Sequence, residues 1–274
     1  MSEDKELEKF DEAACSLAHF KEKVLDLYLK GTAEEEMAAD ALAARSLLPP
    51  MTATLRSFAS ISSEFPEFDA TRCVACMECV IACPDAAIHA RVNSESEVEA
   101  SLGKLTDPAA QNEIRRRFAK ADKFWSMYQK KGKEPGLFSL WIDPHKCKGC
   151  AECVTVCAVE HNALKMVKKR ADWLAAAEQE MSFPNSLLPP TDERFIDPRF
   201  LWDLFLDESA WAYRGGSGAC RGCGEIIALK MAMTATMAKH GKNFVMVAAT
   251  GCNTVFSSTY PFNIFDVPWT NSLF

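Results

Sequence analysis

Two short cysteine runs carry the most specific chemistry in this chain. The first reads C-V-A-C-M-E-C-V-I-A-C-P and places thiols at Cys73, Cys76, Cys79 and Cys83, followed by Pro84. The second reads C-K-G-C-A-E-C-V-T-V-C and places them at Cys147, Cys150, Cys153 and Cys157, followed by Ala158. Thiolate sulfur is the soft ligand iron prefers, and coordination deprotonates it although free cysteine has a pKa of roughly 8.5. The C-x2-C-x2-C spacing lets three thiols wrap one 4Fe–4S cubane corner by corner. The fourth lies too far round the turn to close the same cube, and in two-cluster modules it ligates the other cluster. The expected ligand sets are therefore Cys73, Cys76, Cys79 with Cys157, and Cys147, Cys150, Cys153 with Cys83. Structural zinc takes two C-x2-C pairs per ion and leaves the repeated fourth cysteine unexplained. Two clusters imply one-electron transfer.

Four further cysteines lie outside the runs. Cys220, Cys223 and Cys252 supply three thiols, one fewer than a cubane needs, in the segments S-G-A-C-R-G-C-G-E and T-G-C-N. A lone C-x2-C is compatible with zinc or a redox pair. A dithiol switch has no evident task beside two clusters, so the fourth ligand is expected from outside this chain or from a non-thiol group. Cys15 has no cysteine neighbour and reads as a small buried side chain. Of the five histidines, His145 and His161 flank the second run and are placed to tune it, although surface histidines are commoner. No Ser-His-Asp or Cys-His arrangement and no phosphate-binding Gly-Lys loop is present.

The elements that hold these residues follow from pattern. Of 274 residues, 48% are apolar and the net charge is −7, enough for two compact cores and contrary to a nucleic-acid partner. The twelve cysteines are not those of a disulfide scaffold, since eight sit at ligand spacing. The acidic start is unlike a signal peptide, and no apolar run approaches the ~18 residues that cross a bilayer. The expected compartment is a reducing, low-oxygen cytoplasm. Residues 1–48 have the spacing of about two amphipathic helices, closed by Pro49-Pro50. Residues 51–72 read as loop or short strand. Glu95 to Lys131 has helical composition and interrupts an internal repeat, visible where D-A-A-I after the first run resembles N-A-L-K-M after the second. Within it Arg115-Arg116-Arg117 reads as a solvated helix face, or alternatively as a dock for an acidic carrier. A helical stretch is expected at 171–181, then a linker rich in Phe, Trp and Asp. The last part predicts a helix over 226–240 closed by Gly241, and a buried parallel strand over 244–249. A Gly-containing turn follows at the strand's carboxyl end, the usual seat of a cofactor.

In this order the dicluster runs, S-G-A-C-R-G-C-G-E, A-T-G-C and P-W-T-N-S-L-F resemble the carboxyl-terminal third of the pyruvate:ferredoxin (flavodoxin) oxidoreductases, over roughly residues 49–274. The resemblance implies a thiamine-diphosphate-dependent enzyme that decarboxylates a 2-oxoacid, here pyruvate. Coenzyme A takes the acyl group, and electrons pass singly through three 4Fe–4S clusters to ferredoxin or flavodoxin. It implies that Cys220, Cys223 and Cys252 ligate the inner cluster with a later cysteine, and that Glu225, Thr250, Gly251, Cys252 and Asn253 are contacts to thiamine diphosphate. The family's G-D-G magnesium motif and fourth inner-cluster cysteine are absent before Phe274, and the glycines usual before Trp269 are missing. Thiamine and Mg2+ are thus expected only with remaining domains or subunits. The implied fold is α+β. Residues 1–48 form a helical segment, and 49–170 a ferredoxin-like dicluster domain with an inserted helical segment. Residues 171–214 are a linker, and 215–274 the start of an incomplete α/β thiamine domain. The competing reading is a non-catalytic dicluster subunit of a larger redox complex.

Overall fold

The computed structural model describes residues 16–38, 49–249, 251–257 and 262–271. Its centre is a pseudo-twofold unit. Strand β1 (Glu64–Phe68) leads into the first cysteine loop, the helix Glu78–Ala82 and strand β2 (Ile88–Ser94). Strand β4 (Gly136–Ile142) leads likewise into the second loop, the helix Glu152–Ala158 and strand β5 (Leu164–Lys168). β1 pairs antiparallel with β5, from Glu64 opposite Lys168 to Phe68 opposite Leu164. β2 pairs with β4, from Ile88 opposite Ile142 to Ser94 opposite Gly136. Each half thus supplies one strand to each ribbon, and the two cysteine helices lie against one another between them. Met77, Val80, Ile88, Ala90, Phe138, Leu140 and Leu164 fill the core, all at most 2% exposed. At roughly 1.5–3 kcal/mol for each large side chain removed from water, this packing holds the cysteine loops in place.

The insertion is not the helix its composition suggests. Ser94 and Glu97 form a capping box that starts the helix Glu95–Leu102. Asp107 caps, and Pro108 opens, a second helix, Pro108–Arg115. The chain then becomes extended: β3 (Phe118–Ala119) pairs on the free side of β4, opposite Ser139 and Phe138. Tertiary packing overrides helix propensity here. Ile114 goes to a satellite core with Trp141 and Phe183. Phe124 goes to the central core and stacks on Phe138 with ring centres 6.1 Å apart.

The linker is equally well packed. Its helix spans Trp173–Ser186, running past the expected end through Pro184, where Phe183 and Pro184 are buried. Arg91, 5% exposed, ties this helix to β2 by donating to the Pro184 carbonyl, and holds the chain beyond it by donating to the Leu188 carbonyl at 2.7 Å and pairing with Glu208 at 2.8 Å. Near the amino terminus a continuous helical run, Leu17–Phe20, Lys21–Leu25 and Asp26–Lys30, ends at Gly31 in the left-handed region. Ala33–Glu36 adds one more turn. Cys15 lies outside the described residues.

In the last part the helix spans Gly224–His240 and closes at Gly241, as the periodicity predicts. The strand β6 (Met246–Ala248) is parallel to β7 (Trp269–Asn271), with Met246 opposite Trp269. Parallel pairing was expected; burial is not observed. Val245 is 64% and Val247 75% exposed, because among the described residues the ribbon has two strands and β6 is bare on one side.

Candidate metal centres

Two cavities in the central unit gather the eight run cysteines. The first is lined by Cys73, Cys76, Cys79 and Cys157, amid Phe68, Leu140 and Leu164. The second is lined by Cys83, Cys147, Cys150 and Cys153, with Lys146, Lys148 and Asp85. Each cavity therefore takes three thiols from one run and the fourth from the other. The crossing follows from the antiparallel ribbons and the packed cysteine helices, which set the end of each helix beside the opposite loop. Among the described residues no three Cys, His, Asp or Glu side chains close on a single point as around one ion. The thiols instead ring a hollow.

The loop backbone is shaped for the same task. Ala75 and Met77 in the first loop, and Gly149 and Ala151 at the matching places in the second, have φ of 61°, 69°, 68° and 62°. Left-handed alanine and methionine cost about 1–2 kcal/mol per residue, strain that the packed core sustains. Amides also turn to sulfur: Ala75 N–H reaches Cys73 Sγ at 3.5 Å, Ala87 N–H reaches Cys83 Sγ at 3.3 Å and Ala163 N–H reaches Cys157 Sγ at 3.1 Å. Such donors stabilise thiolate and cluster sulfur.

Burial pushes the Cys73 thiol up to about 11 and the Cys147 thiol to about 12. Burial, and then the neighbouring thiols, raise Cys79 and Cys153 well above the ordinary value. Burial also raises Cys83, with Lys230 opposing it. Thiols this reluctant to ionise need a strong cation to become thiolates, and coordination to iron supplies one. The donor set, the amides and the cavities fit 4Fe–4S clusters.

The Cys220–Cys223 loop is docked beside the second cavity. Arg221 donates to Glu152 Oε2 at 3.0 Å and to Thr155 Oγ at 2.6 Å, both on the helix carrying Cys153 and Cys157. Lys148 bonds the Ala219 carbonyl and pairs with the buried Asp85 at 2.8 Å. Asp85 accepts from Ser217 Oγ and from Gly218 N–H, each at 3.0 Å. Gly215 passes so close that a Cβ would stand 1.9 Å from the Asp85 carbonyl oxygen. Cys223 then caps the helix Gly224–His240. Cys220 is exposed and Cys223 half-buried.

The remaining candidates are more open. Cys252, exposed, opens the helix Cys252–Ser257. Gly251 is exposed, and Asn253 accepts from Thr254 N–H at 2.7 Å. Glu225 sits exposed in the first turn of its helix. Thr250 lies outside the described residues. Cys220, Cys223 and Cys252 do not converge as a mononuclear metal group.

His161 lines the first cavity, whereas His145 is held between Ser57 and Glu178, each at 2.9 Å. The arginine triad is not a free basic edge: Arg115 faces Glu99, Arg117 faces Glu180, and Arg116 faces Glu113 at 3.5 Å. Residues that pattern did not single out are Asp85, Lys148, Arg221 and Lys230. Asp85, Lys148 and Arg221 lie inside the segments D-A-A-I, C-K-G-C and S-G-A-C-R-G-C-G-E, and Lys230 is a lone charge within the apolar I-I-A-L-K-M-A-M. It is 2% exposed, and burial pulls its ammonium down to about 8 against the opposing pull of Cys83 and Asp85.

Residues 72–161 match the 4Fe-4S dicluster domain family. The chain is 31% identical over 219 residues to a pyruvate-flavodoxin oxidoreductase of Nostoc sp., covering 78% of this chain and 16% of that protein. It is 27% identical over 234 residues to the pyruvate:ferredoxin oxidoreductase of Moorella thermoacetica, covering 82% and 17%. With a probable pyruvate-flavodoxin oxidoreductase of Escherichia coli the identity is 26% over 253 residues, covering 86% and 19%. The chain thus spans about a sixth to a fifth of the length of these relatives.

Proposed function

From a chain that carries a 4Fe-4S dicluster domain and belongs with the pyruvate:ferredoxin (flavodoxin) oxidoreductases as a segment of that family, we propose an electron relay inside a 2-oxoacid oxidoreductase. The observation that carries this reading is the pair of cavities, each ringed by three thiols of one run and the fourth of the other. A 4Fe–4S cluster, when bound, takes up and gives back one electron at a time. Cys73, Cys76, Cys79 and Cys157 hold one such group, and Cys83, Cys147, Cys150 and Cys153 the other. Phe68, Leu140 and Leu164 keep water from the first, and the loop amides keep charge on the sulfurs tolerable.

Cys220 and Cys223, with Cys252, provide three ligands of an inner centre that other parts of the enzyme complete. The docking of Arg221 on the helix of Cys153 and Cys157 supports an order in which the second cavity stands next to that centre. Glu225 and Thr250–Asn253 belong to the thiamine diphosphate side. In the whole enzyme pyruvate is decarboxylated there, coenzyme A takes the acyl group, and ferredoxin or flavodoxin receives the electrons in a reducing cytoplasm. Among the described residues no helix is long and apolar enough to cross a membrane.

Anaerobic reconstitution of the chain with iron and sulfide tests the reading. The two complete thiol sets should hold about eight iron atoms. The dithionite-reduced protein should then pass electrons to oxidised flavodoxin or ferredoxin. Zinc in place of iron, or iron that transfers no electrons, overturns it.

A further inference from the structure

Lys230 is a buried cation whose hydrogen-bond acceptors are all backbone carbonyls, with the centre of the Phe205 ring 5.8 Å from its ammonium. Its ammonium donates to the carbonyls of Val80 at 2.8 Å, Ile81 at 2.9 Å and Cys83 at 2.7 Å. These oxygens lie at the end of the helix Glu78–Ala82 and at its cap, Cys83, so one side chain from the helix Gly224–His240 closes the first cysteine helix. All three N–H donors of an ammonium are thereby used. Among the described residues no carboxylate lies within ion-pair reach of it. An ammonium removed from water without a counter-charge is strongly disfavoured. The negative end of a helix of five residues offsets only part of that cost.

The second cavity supplies the missing negative charge. Cys83 lines it, and four thiolates around a 4Fe–4S core leave a formal charge of about −2 in the oxidised state and one more when reduced. Lys146 and Lys148 line the same cavity, Lys148 partly neutralised by Asp85. The first cavity has Glu78 in its wall and no lysine or arginine. The two thiol sets are related by the pseudo-twofold in backbone and differ in charge environment.

We propose that Lys230 is a positioning residue and counter-cation for the group held by Cys83, Cys147, Cys150 and Cys153, and that it makes this group the more easily reduced of the two. A fixed positive charge favours the state with the extra electron, which raises the potential. The side chain comes from the segment that also begins with Cys220 and Cys223, so its seating couples that segment to the second cavity's potential. The inference rests on the two-cluster reading above.

The test is a redox titration of the reconstituted full chain, followed by electron paramagnetic resonance. In the wild type the two midpoints are assigned by disabling the first set with Cys76→Ser. Lys230→Met removes the charge at similar length. It should lower the midpoint of the Cys83 group by at least a tenfold change in its reduction equilibrium, about 59 mV for one electron, and move the other much less. Lys230→Arg should restore most of the shift. Unchanged midpoints at full iron content, equal shifts of both, or an arginine variant as impaired as methionine would each overturn the proposal. If Lys230→Met holds no iron, Lys230→Gln is read instead. Cluster loss in both, with retention in Lys230→Arg, supports the counter-cation; loss in all three refutes it. A wild-type chain without two clusters would instead refute the underlying reading.

Discussion

The crossing of ligands between the two runs can be tested by pairing substitutions. Cys157 lies in the last turn of the helix Glu152–Ala158, is 9% exposed, and accepts from Ala163 N–H at 3.1 Å. It lines the cavity of Cys73, Cys76 and Cys79, in the other half of the unit. Serine offers a hard, weakly acidic oxygen in place of a thiolate, so Cys157→Ser should cost one intact 4Fe–4S cluster of two. The single variant does not say which one is lost, but the doubles do. Cys157→Ser with Cys76→Ser strikes one cavity twice and should leave one reducible cluster per chain. Cys157→Ser with Cys150→Ser strikes both cavities and should leave none. If each run instead held its own cluster, the two doubles would exchange outcomes. Spin quantitation of the reduced 4Fe–4S signal at saturating dithionite is the proper assay. Three-iron remnants give their signal in the oxidised state and are not counted, whereas total iron would include them. The first double with no cluster, and the second with one, would refute the crossing. Non-additivity of this kind is what two residues in one site produce.

Three further outcomes follow from the same structure. Gly215→Ala puts a Cβ into a left-handed position, φ +86°, at 1.9 Å from the Asp85 carbonyl oxygen, so the backbone must shift. The conformational cost alone is about 1–2 kcal/mol. With the clash it should lower the midpoint in calorimetry by several degrees, and an unchanged midpoint would show that the junction is looser than described. Arg221→Ala breaks a pair in which Arg221 is 54% and Glu152 17% exposed, so stability should change by less than about 1 kcal/mol. Limited proteolysis at residues 218–222 should nevertheless speed up several-fold, because the loop loses its contacts to Glu152 and Thr155. The third concerns His89, which stands edge-on to Trp211 at 4.8 Å. Burial holds His89 below its usual 6.5, against the opposing pulls of Glu208 and Asp143 and with lesser help from Arg91 and Arg214. As pH falls below about 6.5 the unfolded chain takes the proton first, so stability is full above that value and declines beneath it. His89→Phe should flatten the loss of thermal stability between about pH 7 and pH 5.5; equal slopes in the two proteins would refute the assignment.

What was legible in the sequence and what was not divide along a physical line. Ligand spacing is local: C-x2-C-x2-C describes one loop, so each triplet of thiols is legible in the sequence alone. The crossing of Cys83 and Cys157 is expected from the distance of each fourth thiol round its turn and from the habit of two-cluster modules, and the two cavities gather the thiols in those sets. The helix Gly224–His240 was equally local, an apolar repeat closed by Gly241, and structure and pattern differ by two residues at its start. Where a residue's fate depends on a distant partner, pattern failed. Phe118 looked like one more apolar position on a helix, and became a strand residue because the free side of β4 lay beside it. The apolar run ending at Ala249 looked like a buried strand, but burial belongs to whatever covers a strand, and Val247 is 75% exposed. Lys230 is the sharpest case. Within its own helix it breaks an apolar pattern, which by itself signals only an exposed lysine on a solvated face. Its purpose resides in three carbonyls 147 to 150 residues earlier, around a cysteine that completes the thiol set of the other run. Charge of this kind is placed by tertiary structure and paid for by a partner the sequence does not put beside it. The chemistry of a cluster site can therefore be read from its ligands, while its energetics belong to residues that no ligand motif contains.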